Sequence, residues 1–404
     1  MNGKGLGKLD FGFTEEQQML RKTARQFVDE EIMPHIQKWD AEGGFDPAIW
    51  KKLADLGFMG VCVPEQYGGS GMDYNSLAIL CEELERGDTA FRTAVSVHIG
   101  LNSMTLMQWG TEEQKQKFLV PQAKGEKIGA FGLTEPGAGS DVAAMATTAV
   151  RDGDEYVING QKTWISLCDV ADHFLVFAYT DKSKKHHGIS AFIVERTTPG
   201  FSSKAIKGKY GIRAGNTGEL FFEDMRIPAA NLLGEEGEGF KIAMSALDNG
   251  RFTVAAGAVG LIMGCLEESV KYCHERETFG KPIGKHQLVQ QMIANMEAGY
   301  QMSRLLVYRA GELKNKGLRN TRETSLAKWQ ACDFANKAAD DAFQIHGAYG
   351  YSDEYPVARF LRNSKAPVIY EGTREIHTIM QAEYVLGYRE DKKLSNMLPE
   401  WPFD

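Results

Sequence analysis

The sequence lacks most of the features that mark secreted, metal-binding or membrane-spanning proteins. Its six cysteines form no CxxC pair and no His/Cys spacing suited to zinc, and they lie at positions 62, 81, 168, 265, 273 and 332. There is no run of about 18 consecutive apolar residues, and the beginning of the chain lacks the apolar stretch of a secretory signal. We therefore expect reduced core thiols, no metal ion and no membrane partner. The expected location is the cytoplasm, or the mitochondrial matrix if the chain is a processed eukaryotic one.

Basic stripes are missing as well. The net charge of -8 is spread along the chain, so nucleic acid is not an expected partner, and an anionic ligand would have to be met by individual arginines. The 404 residues exceed what one hydrophobic core usually organises, which predicts two or three subdomains. With 43% apolar and 25% charged residues, the composition is that of a packed globular protein.

The pattern of apolar residues divides the chain into three parts and predicts an α+β protein. Helical spacing runs from about residue 14 to 125, short β-branched runs fill 126–236, and long helical patterns return after 237. We therefore predict three domains: 1–125 helical, 126–236 β, and 237–404 a helical bundle. Within them we expect a capping box at Thr14 and Gln17, a helix break at 87–89, a hairpin turn at Asn159-Gly160, and helices over 287–316 and 320–344.

Two glycine-rich segments have the small residues that a ligand-binding loop needs. The segment 234–239 carries three carboxylates that would repel phosphate, and it is interpreted as a surface loop. The segment 130–141, AFGLTEPGAGSD, packs turn residues and small hydroxyls beside β structure. Its backbone could approach a flat ligand closely, or it could be a structural β-turn, and composition alone favours neither.

Several motifs, in order along nearly the whole chain, resemble those of the acyl-CoA dehydrogenase family. The segment 130–141 resembles the first signature of that family, and 368–377, VIYEGTREIH, resembles the stretch that carries its catalytic glutamate. Further matches are 163–166, 248–251, 276–280, 286–287 and 344–348. The resemblance implies an N-terminal helical domain, a central β-barrel and a C-terminal helical bundle, assembled as a homotetramer. It also implies an enzyme, an oxidoreductase acting on CH–CH donors.

The same resemblance implies FAD as the cofactor, an acyl-CoA as the substrate and an electron-transfer flavoprotein as the electron acceptor. Glu371 would remove the α-proton while the flavin takes the β-hydride, which gives a trans-2-enoyl thioester. The residues implied to line the flavin are Phe131, Leu133, Thr134, Gly139, Ser140, Trp164, Ile165, Ser166, Thr373 and Glu375. Those implied to hold the ADP half are Arg276, Thr278, Phe279, Gln287, Gln344, Gly347 and Ala348.

The residues implied to bind the substrate are Ser140, Asp248, Arg251 and Gly372, together with a group discussed below. Each role has a plainer alternative when the residues are considered without the resemblance. Glu371 could be a surface glutamate in a turn, and Asp248 and Arg251 could be an ordinary ion pair three residues apart on a helix. Arg276 and Phe279 could be an exposed arginine and a core phenylalanine.

Arg92 bears on the choice of acyl group, because it is the only fully charged residue in the apolar helix predicted over 90–109. Glutaryl-CoA dehydrogenases are similar here: an arginine followed by a small hydroxyl residue grips the distal carboxylate, and Arg92, Thr93, Glu85 and Tyr370 match that pocket. A substituted succinyl thioester such as benzylsuccinyl-CoA would place a carboxylate similarly. Alternatively, Arg92 could pair with Glu82, Glu85 or Asp88.

Three other functions remain open at this point. The enzyme could act on a short or branched monocarboxylic acyl-CoA, or it could pass electrons directly to O2. The chain could also be a non-catalytic acyl-CoA-binding protein on the same fold, although such a protein would be expected to have lost Glu371.

Overall fold

The computed structural model describes residues 12–391 and 396–403. Its first part is helical, as predicted. The α-helices are α1 Glu15–Phe27, α2 Ile36–Glu42, α3 Ala48–Asp55, α4 Tyr74–Gly87, α5 Thr89–Val95, α6 Met104–Trp109, α7 Glu112–Gln114 and α8 Val120–Ala123. Wider π-type turns join several of them, including Ser96–Ser103 between α5 and α6.

The two predicted caps of this region are confirmed. Thr14 and Gln17 form the capping box at the start of α1. Asp88 separates α4 from α5, and its side chain accepts a hydrogen bond from the backbone N–H of Ala90.

The middle of the chain folds into an eight-stranded sheet. The strands are β1 Gly129–Gly132, β2 Thr148–Asp152, β3 Glu155–Ser166, β4 His173–Tyr179, β5 Ile189–Glu195, β6 Phe201–Ala205, β7 Thr217–Pro228 and β8 Leu232–Leu233. They pair in the order β6-β7-β3-β2-β4-β5-β8, and β1 pairs with β4 in parallel. All seven residues of β4 are buried, so both faces of this strand are covered, which explains its unbroken hydrophobic run.

The hairpin predicted at Asn159-Gly160 is wrong. Strand β3 runs through both residues, and between Ile158 and Gly160 the register shifts so that two residues of β7 oppose Asn159, as at a β-bulge. Asn159 is held by Asp224 on β7, whose backbone N–H donates to the Asn159 side chain at 2.8 Å. A side chain at Gly160 would meet Thr147 at 2.5 Å, so glycine is required by this close approach. The turn between β2 and β3 lies instead at 153–154.

The last part is a bundle of long helices. After the β domain come α9 Gly239–Glu275, a small hairpin of β9 Glu277–Thr278 and β10 Lys281–Pro282, and then α10 Gln287–Asn315, α11 Thr321–His346, α12 Val357–Ser364 and α13 Arg374–Leu386. Helices α10 and α11 confirm the two helices predicted at 287–316 and 320–344.

Helix α9 is the axis of this bundle and packs against α4, α10 and α11. Among the described helices, α9 is the one whose length and composition would suffice to cross a membrane, but 83% of its most apolar window is buried inside the protein. That burial is typical of a core helix. The six cysteines are free and buried, as predicted.

Candidate active site

Glu371 lies in the short loop between α12 and α13, in a left-handed backbone conformation with φ of 54°. Three contacts fix the loop. The Arg251 Nε donates to the carbonyl oxygen of Glu371 at 3.1 Å, and the Lys328 Nζ donates to that of Gly372 at 2.7 Å. Thr373 caps α13 by accepting from the N–H of Ile376 at 3.3 Å. The glutamate is therefore held from three sides by α9, α11 and α13.

The carboxylate of Glu371 occupies a notch on α9. A side chain at Gly250 would overlap Glu371 Oε2 and would also meet Leu101 at 2.5 Å. Oε2 is buried and has no hydrogen-bond partner among the described residues. Desolvation raises the pKa of Glu371 to about 7, against the opposing charges of Arg92, Lys328 and Arg251. A carboxylate in this setting is suited to act as a base near neutral pH.

A second notch lies seven residues further along α9, on the same face of the helix and about 10 Å away. A side chain at Gly257 would overlap the Glu85 carboxylate and meet Arg92 Nε at 2.6 Å. Arg92 Nε pairs with Glu85 there, and Arg92 Nη2 donates to the hydroxyl of Tyr370. Arg92 is 1% exposed and Glu85 0%. The structure thus brings Glu85, Arg92 and Tyr370 together, with Tyr370 adjacent to Glu371 in the chain.

The other pairings considered for Arg92 are not made. Asp88 pairs with Arg359 at 2.9 Å, and Glu82 accepts from Arg21 at 3.2 Å. Glu85 and Tyr370 use two of the five N–H groups of the Arg92 guanidinium. The neighbouring hydroxyl of Thr93 is buried and has no hydrogen-bond partner within the described part of the chain. Arg92 and Thr93 can therefore still donate hydrogen bonds to a ligand, next to the Arg92–Glu85 ion pair.

The segment that resembles the flavin signature is joined to strand β3. The N–H of Thr163 donates to the carbonyl oxygen of Thr134 at 2.9 Å. The fully buried Lys162 pairs with Glu135 at 2.7 Å and donates to the carbonyl oxygen of Leu133 at 3.2 Å. These bonds place the 131–140 turn beside 164–166, two segments that the sequence separates by more than twenty positions.

Within these two segments the side chains differ in exposure. Phe131, Leu133 and Ile165 are buried, Thr134 and Ser166 are half-buried, and Gly139 and Ser140 are exposed. Trp164 has φ of 60° and leaves 61% of its surface exposed. An exposed indole beside an open glycine turn, in which a side chain at Gly139 would meet nothing within 4 Å, fits a flat ring system.

The residues assigned to the ADP half lie on the surface of the C-terminal bundle. Arg276, Gln287, Gln344, Gly347 and Ala348 are exposed, and Thr278 is half-buried with its hydroxyl 3.1 Å from His286 Nε2. Phe279 sits between β9 and β10 with 95% of its surface exposed and φ of 51°, so it is not a core residue. Arg276 lies over the ring of Tyr349 at 5.9 Å, which links this hairpin to the 347–351 turn after α11. An exposed arginine fork and an uncovered ring fit a pyrophosphate and an adenine.

Three of the remaining predicted positions are Asp248, Arg251 and Glu375. Asp248 and Arg251 form the ion pair that was the plainer alternative, at 3.2 Å. Glu375 is exposed in the first turn of α13.

Sequence reasoning missed Gly250, Gly257 and Lys328. A glycine inside a helix costs about 1 kcal/mol relative to alanine, so the two glycines carried a usable signal of close approach. Lys328 carried none, because it looks like any cation on a helix.

Comparison with known proteins matches almost the whole chain. Three family models match: "Acyl-CoA dehydrogenase, N-terminal domain" over 14–126, "middle domain" over 130–225 and "C-terminal domain" over 237–386. The short-chain specific acyl-CoA dehydrogenase of Clostridium acetobutylicum is 44% identical over 372 residues, covering 92% of this chain and 98% of that protein. The glutaryl-CoA dehydrogenase of Desulfococcus multivorans is 42% identical over 388 residues, covering 95% and 99%.

Solved structures of acyl-CoA dehydrogenases and a related flavoprotein superpose on nearly the whole chain. A structure of glutaryl-CoA dehydrogenase with glutaryl-CoA superposes with a TM-score of 0.92 at 41% identity, covering 95% of this chain and 98% of that one. A structure of a Mycobacterium smegmatis glutaryl-CoA dehydrogenase with FADH2 gives 0.90 at 34% identity, covering 95% and 98%. A structure described as the electron transferring flavoprotein of Acidaminococcus fermentans, with reference to flavin-based electron bifurcation, gives 0.92 at 45% identity, covering 94% and 100%.

Proposed function

This chain belongs to the acyl-CoA dehydrogenase family and is an FAD-dependent enzyme acting on acyl-CoA, and we propose that its substrate carries a distal carboxylate, as in glutaryl-CoA or benzylsuccinyl-CoA. The fold predicted from the resemblance is the family's fold, with helical, β and helical parts in that order.

Glu371 is the proposed base for the α-proton. Its buried, unpartnered Oε2 and raised pKa suit a carboxylate that must accept a proton from carbon near neutral pH. The backbone N–H of Glu371 donates to no acceptor among the described residues, so it is free to hold the thioester oxygen as negative charge develops there. Arg251 and Lys328 position this loop through the carbonyl oxygens of Glu371 and Gly372. Bound FAD supplies the hydride acceptor.

The residues assigned to FAD are the two groups described above. The turn at 131–140 and the 164–166 segment would hold the isoalloxazine. Thr373 and Glu375 would lie beside it, and Arg276, Phe279 and their neighbours would hold the ADP half. Electrons would pass to an electron-transfer flavoprotein, which the likeness to the Acidaminococcus structure supports. A homotetramer located in the cytoplasm is proposed on the family resemblance.

The observation that supports a distal carboxylate on the substrate is the spare hydrogen-bonding capacity of two neighbouring residues, Arg92 and Thr93. Arg92 is fully buried, and a buried arginine with donors to spare is suited to an anion. Thr93 offers a buried hydroxyl that has no hydrogen-bond partner over residues 12–391 and 396–403. Glu85 and Tyr370 orient the guanidinium, so Arg92 would be held ready and would not need to reorganise on binding.

The test is Arg92→Gln, assayed with glutaryl-CoA and with butyryl-CoA. The loss of charge-assisted hydrogen bonds should lower kcat/KM by about 100-fold for glutaryl-CoA and much less for butyryl-CoA. Arg359→Gln is the matched control, because Arg359 is a buried arginine whose partner is Asp88 and not Glu85. It should lower stability without changing the ratio of the two substrates. Equal losses with both substrates in Arg92→Gln would instead indicate a short-chain enzyme in which Arg92 is structural.

A further inference from the structure

His377 is a buried histidine near the start of α13, and the reaction as described so far does not use it. Its side chain is fully buried, and its Nδ1 lies 2.9 Å from the hydroxyl oxygen of Ser325, a buried residue of α11. Its Nε2 is also buried and has no hydrogen-bond partner among the described residues. A buried imidazole with one nitrogen held and the other bare is unusual and points to a role for the bare end.

The bare end of the ring stands against Gly372, the residue that follows Glu371. A side chain at Gly372 would meet His377 Nε2 at 2.8 Å and Cε1 at 3.2 Å. Gly372 also has φ of 99°, a conformation in which a residue other than glycine would be strained. The catalytic loop is therefore confined twice: the Glu371 carboxylate fits the notch at Gly250, and the backbone at Gly372 fits against the imidazole.

The imidazole that faces the loop is neutral. Burial, and after it the positive charges of Lys328 and Arg251, lower the pKa of His377 to about 3. A neutral ring can offer the loop an N–H without adding a third positive charge there. A further cation would lower the pKa of Glu371 and weaken it as a base.

Ser325 decides which ring nitrogen carries the proton. Its hydroxyl can donate to the lone pair of His377 Nδ1, and it also lies 3.9 Å from the sulfur of Met380, which is a weak acceptor. The stronger bond is the one to Nδ1. When Ser325 donates to Nδ1, the single proton of the neutral ring is on Nε2.

The Nε2–H then has acceptors in the loop backbone. The backbone of Glu371 and Gly372 favours a proton on the ring, as carbonyl oxygens close to Nε2 would. These two carbonyl oxygens already accept from Arg251 and Lys328. Each carbonyl oxygen has two lone pairs, so either can accept from Nε2 as well.

We propose that His377, oriented by Ser325, is a positioning residue for the catalytic loop. Its neutral ring confines the loop at Gly372, and its Nε2–H holds the loop backbone, so that the carboxylate of Glu371 stays in the notch at Gly250. This inference rests on the assignment of Glu371 as the base, and it holds for either class of acyl group.

The test compares a variant that keeps a donor with one that only fills the space. His377→Leu has no donor, and because a displacement of about 1 Å costs about 100-fold in rate, it should lower kcat by about 100-fold with little change in KM. His377→Gln keeps a side-chain N–H and should recover most of that rate. Ser325→Ala should lower kcat about fivefold, the effect of one neutral hydrogen bond. The substrate is whichever of glutaryl-CoA and butyryl-CoA the unmodified enzyme turns over faster.

His173→Leu is the matched control. His173 is buried too, burial lowers its pKa to about 3, and its Nε2 bonds Gln122 Oε1 at 2.8 Å in the β domain. Its replacement should lower the melting temperature and leave kcat nearly unchanged. An equal loss of kcat in the two leucine variants, or a His377→Leu enzyme as active as His377→Gln, would overturn the proposal.

Nitrogen NMR of the unmodified holoenzyme, labelled at histidine with the heavy nitrogen isotope, gives a second measurement should His377→Leu fold poorly. His377, assigned by the signal lost in His377→Gln, should be neutral with its proton on Nε2; a proton on Nδ1 would refute the role of Ser325 and of the Nε2 donor.

Glu371→Gln, assayed in the same series, separates this inference from the proposed function. Normal turnover in Glu371→Gln would remove the base itself. An inactive Glu371→Gln beside a fully active His377→Leu would remove only the role of His377.

Discussion

Two carboxylates face the same side of helix α9, and they differ in what surrounds them. Glu85, in the notch at Gly257, is paired with Arg92 and accepts from the hydroxyl of Thr89 at 3.0 Å. Glu371, in the notch at Gly250, has a buried oxygen that accepts no hydrogen bond from any described residue. Burial raises the pKa of both, but at Glu85 the direct pair with Arg92 opposes the shift. The ion pair with Arg92 therefore makes Glu85 a group that orients a cation, whereas the lack of such a pair leaves Glu371 able to accept a proton.

The largest expected effect comes from removing each carboxylate in turn. Glu371→Gln should retain bound FAD but slow anaerobic bleaching of the flavin by substrate by about 10⁴-fold, the upper range for loss of a general base. Glu85→Gln is the matched control, because it also removes a buried charge yet leaves the base in place, so bleaching should persist. Bleaching at a near-normal rate in Glu371→Gln would show that the unpaired carboxylate is not the base.

Filling the notches gives a smaller effect that also tells the two sites apart. Gly250→Ala forces the Glu371 carboxylate aside, and a displacement of about 1 Å should lower kcat by about 100-fold. Gly257→Ala crowds Glu85 and Arg92 instead, so it should mainly reduce the preference for glutaryl-CoA over butyryl-CoA. Overpacking should cost each variant about 1–3 kcal/mol of stability, more than the gain in helix propensity. Thermal melts and steady-state kinetics of the pair measure both; identical kinetic defects would mean that the two notches act as one site.

The smallest expected effect is a change in pH dependence. Glu371 must be ionised to accept a proton, so kcat/KM should fall as the pH drops through about 7 and level off above it. Arg92 is the largest of the charges that hold this pKa down, and Arg92→Gln should move the midpoint upward. Profiles of kcat/KM from about pH 5 to 9 with butyryl-CoA measure the shift. A midpoint that stays in place would show that Arg92 does not influence the base electrostatically.

The same pKa has a consequence for stability with the opposite sign. Because the pKa of Glu371 is raised above the ordinary 4.5, the folded state binds its proton more tightly than the unfolded chain does. The contribution of this group to the free energy of unfolding is therefore greatest at low pH and declines as the pH rises from 4.5 through about 7.

Local patterns predicted the fold well because they carry the information that local structure needs. The apolar periodicity over 287–316 and 320–344 is enough to define α10 and α11, and Asp88 is enough to end one helix and cap the next. The prediction at Asn159-Gly160 failed for a physical reason. Both residues suit a hairpin turn as well as a bulged strand pair, and the contacts with Thr147, just before β2, and with Asp224 on β7 decide between them.

The sequence identified the individual residues of the site, but it did not predict their burial or their partners. The motif around Glu371 was visible, yet its burial depends on Gly250, more than a hundred positions away, and no local pattern states that the two meet. The partner of Arg92 was one of three nearby acids, and only the geometry of α4 and α5 selects Glu85.

Glu371, Trp164 and Phe279 share a left-handed backbone, which costs a residue other than glycine on the order of 1–3 kcal/mol. Directed evolution of this protein for heat resistance alone would therefore favour glycine or asparagine at these three positions. The variants with the highest melting temperature in such a library would lose the carboxylate of Glu371 and the exposed rings of Trp164 and Phe279 together. Selection for a higher melting temperature should hold these codons fixed.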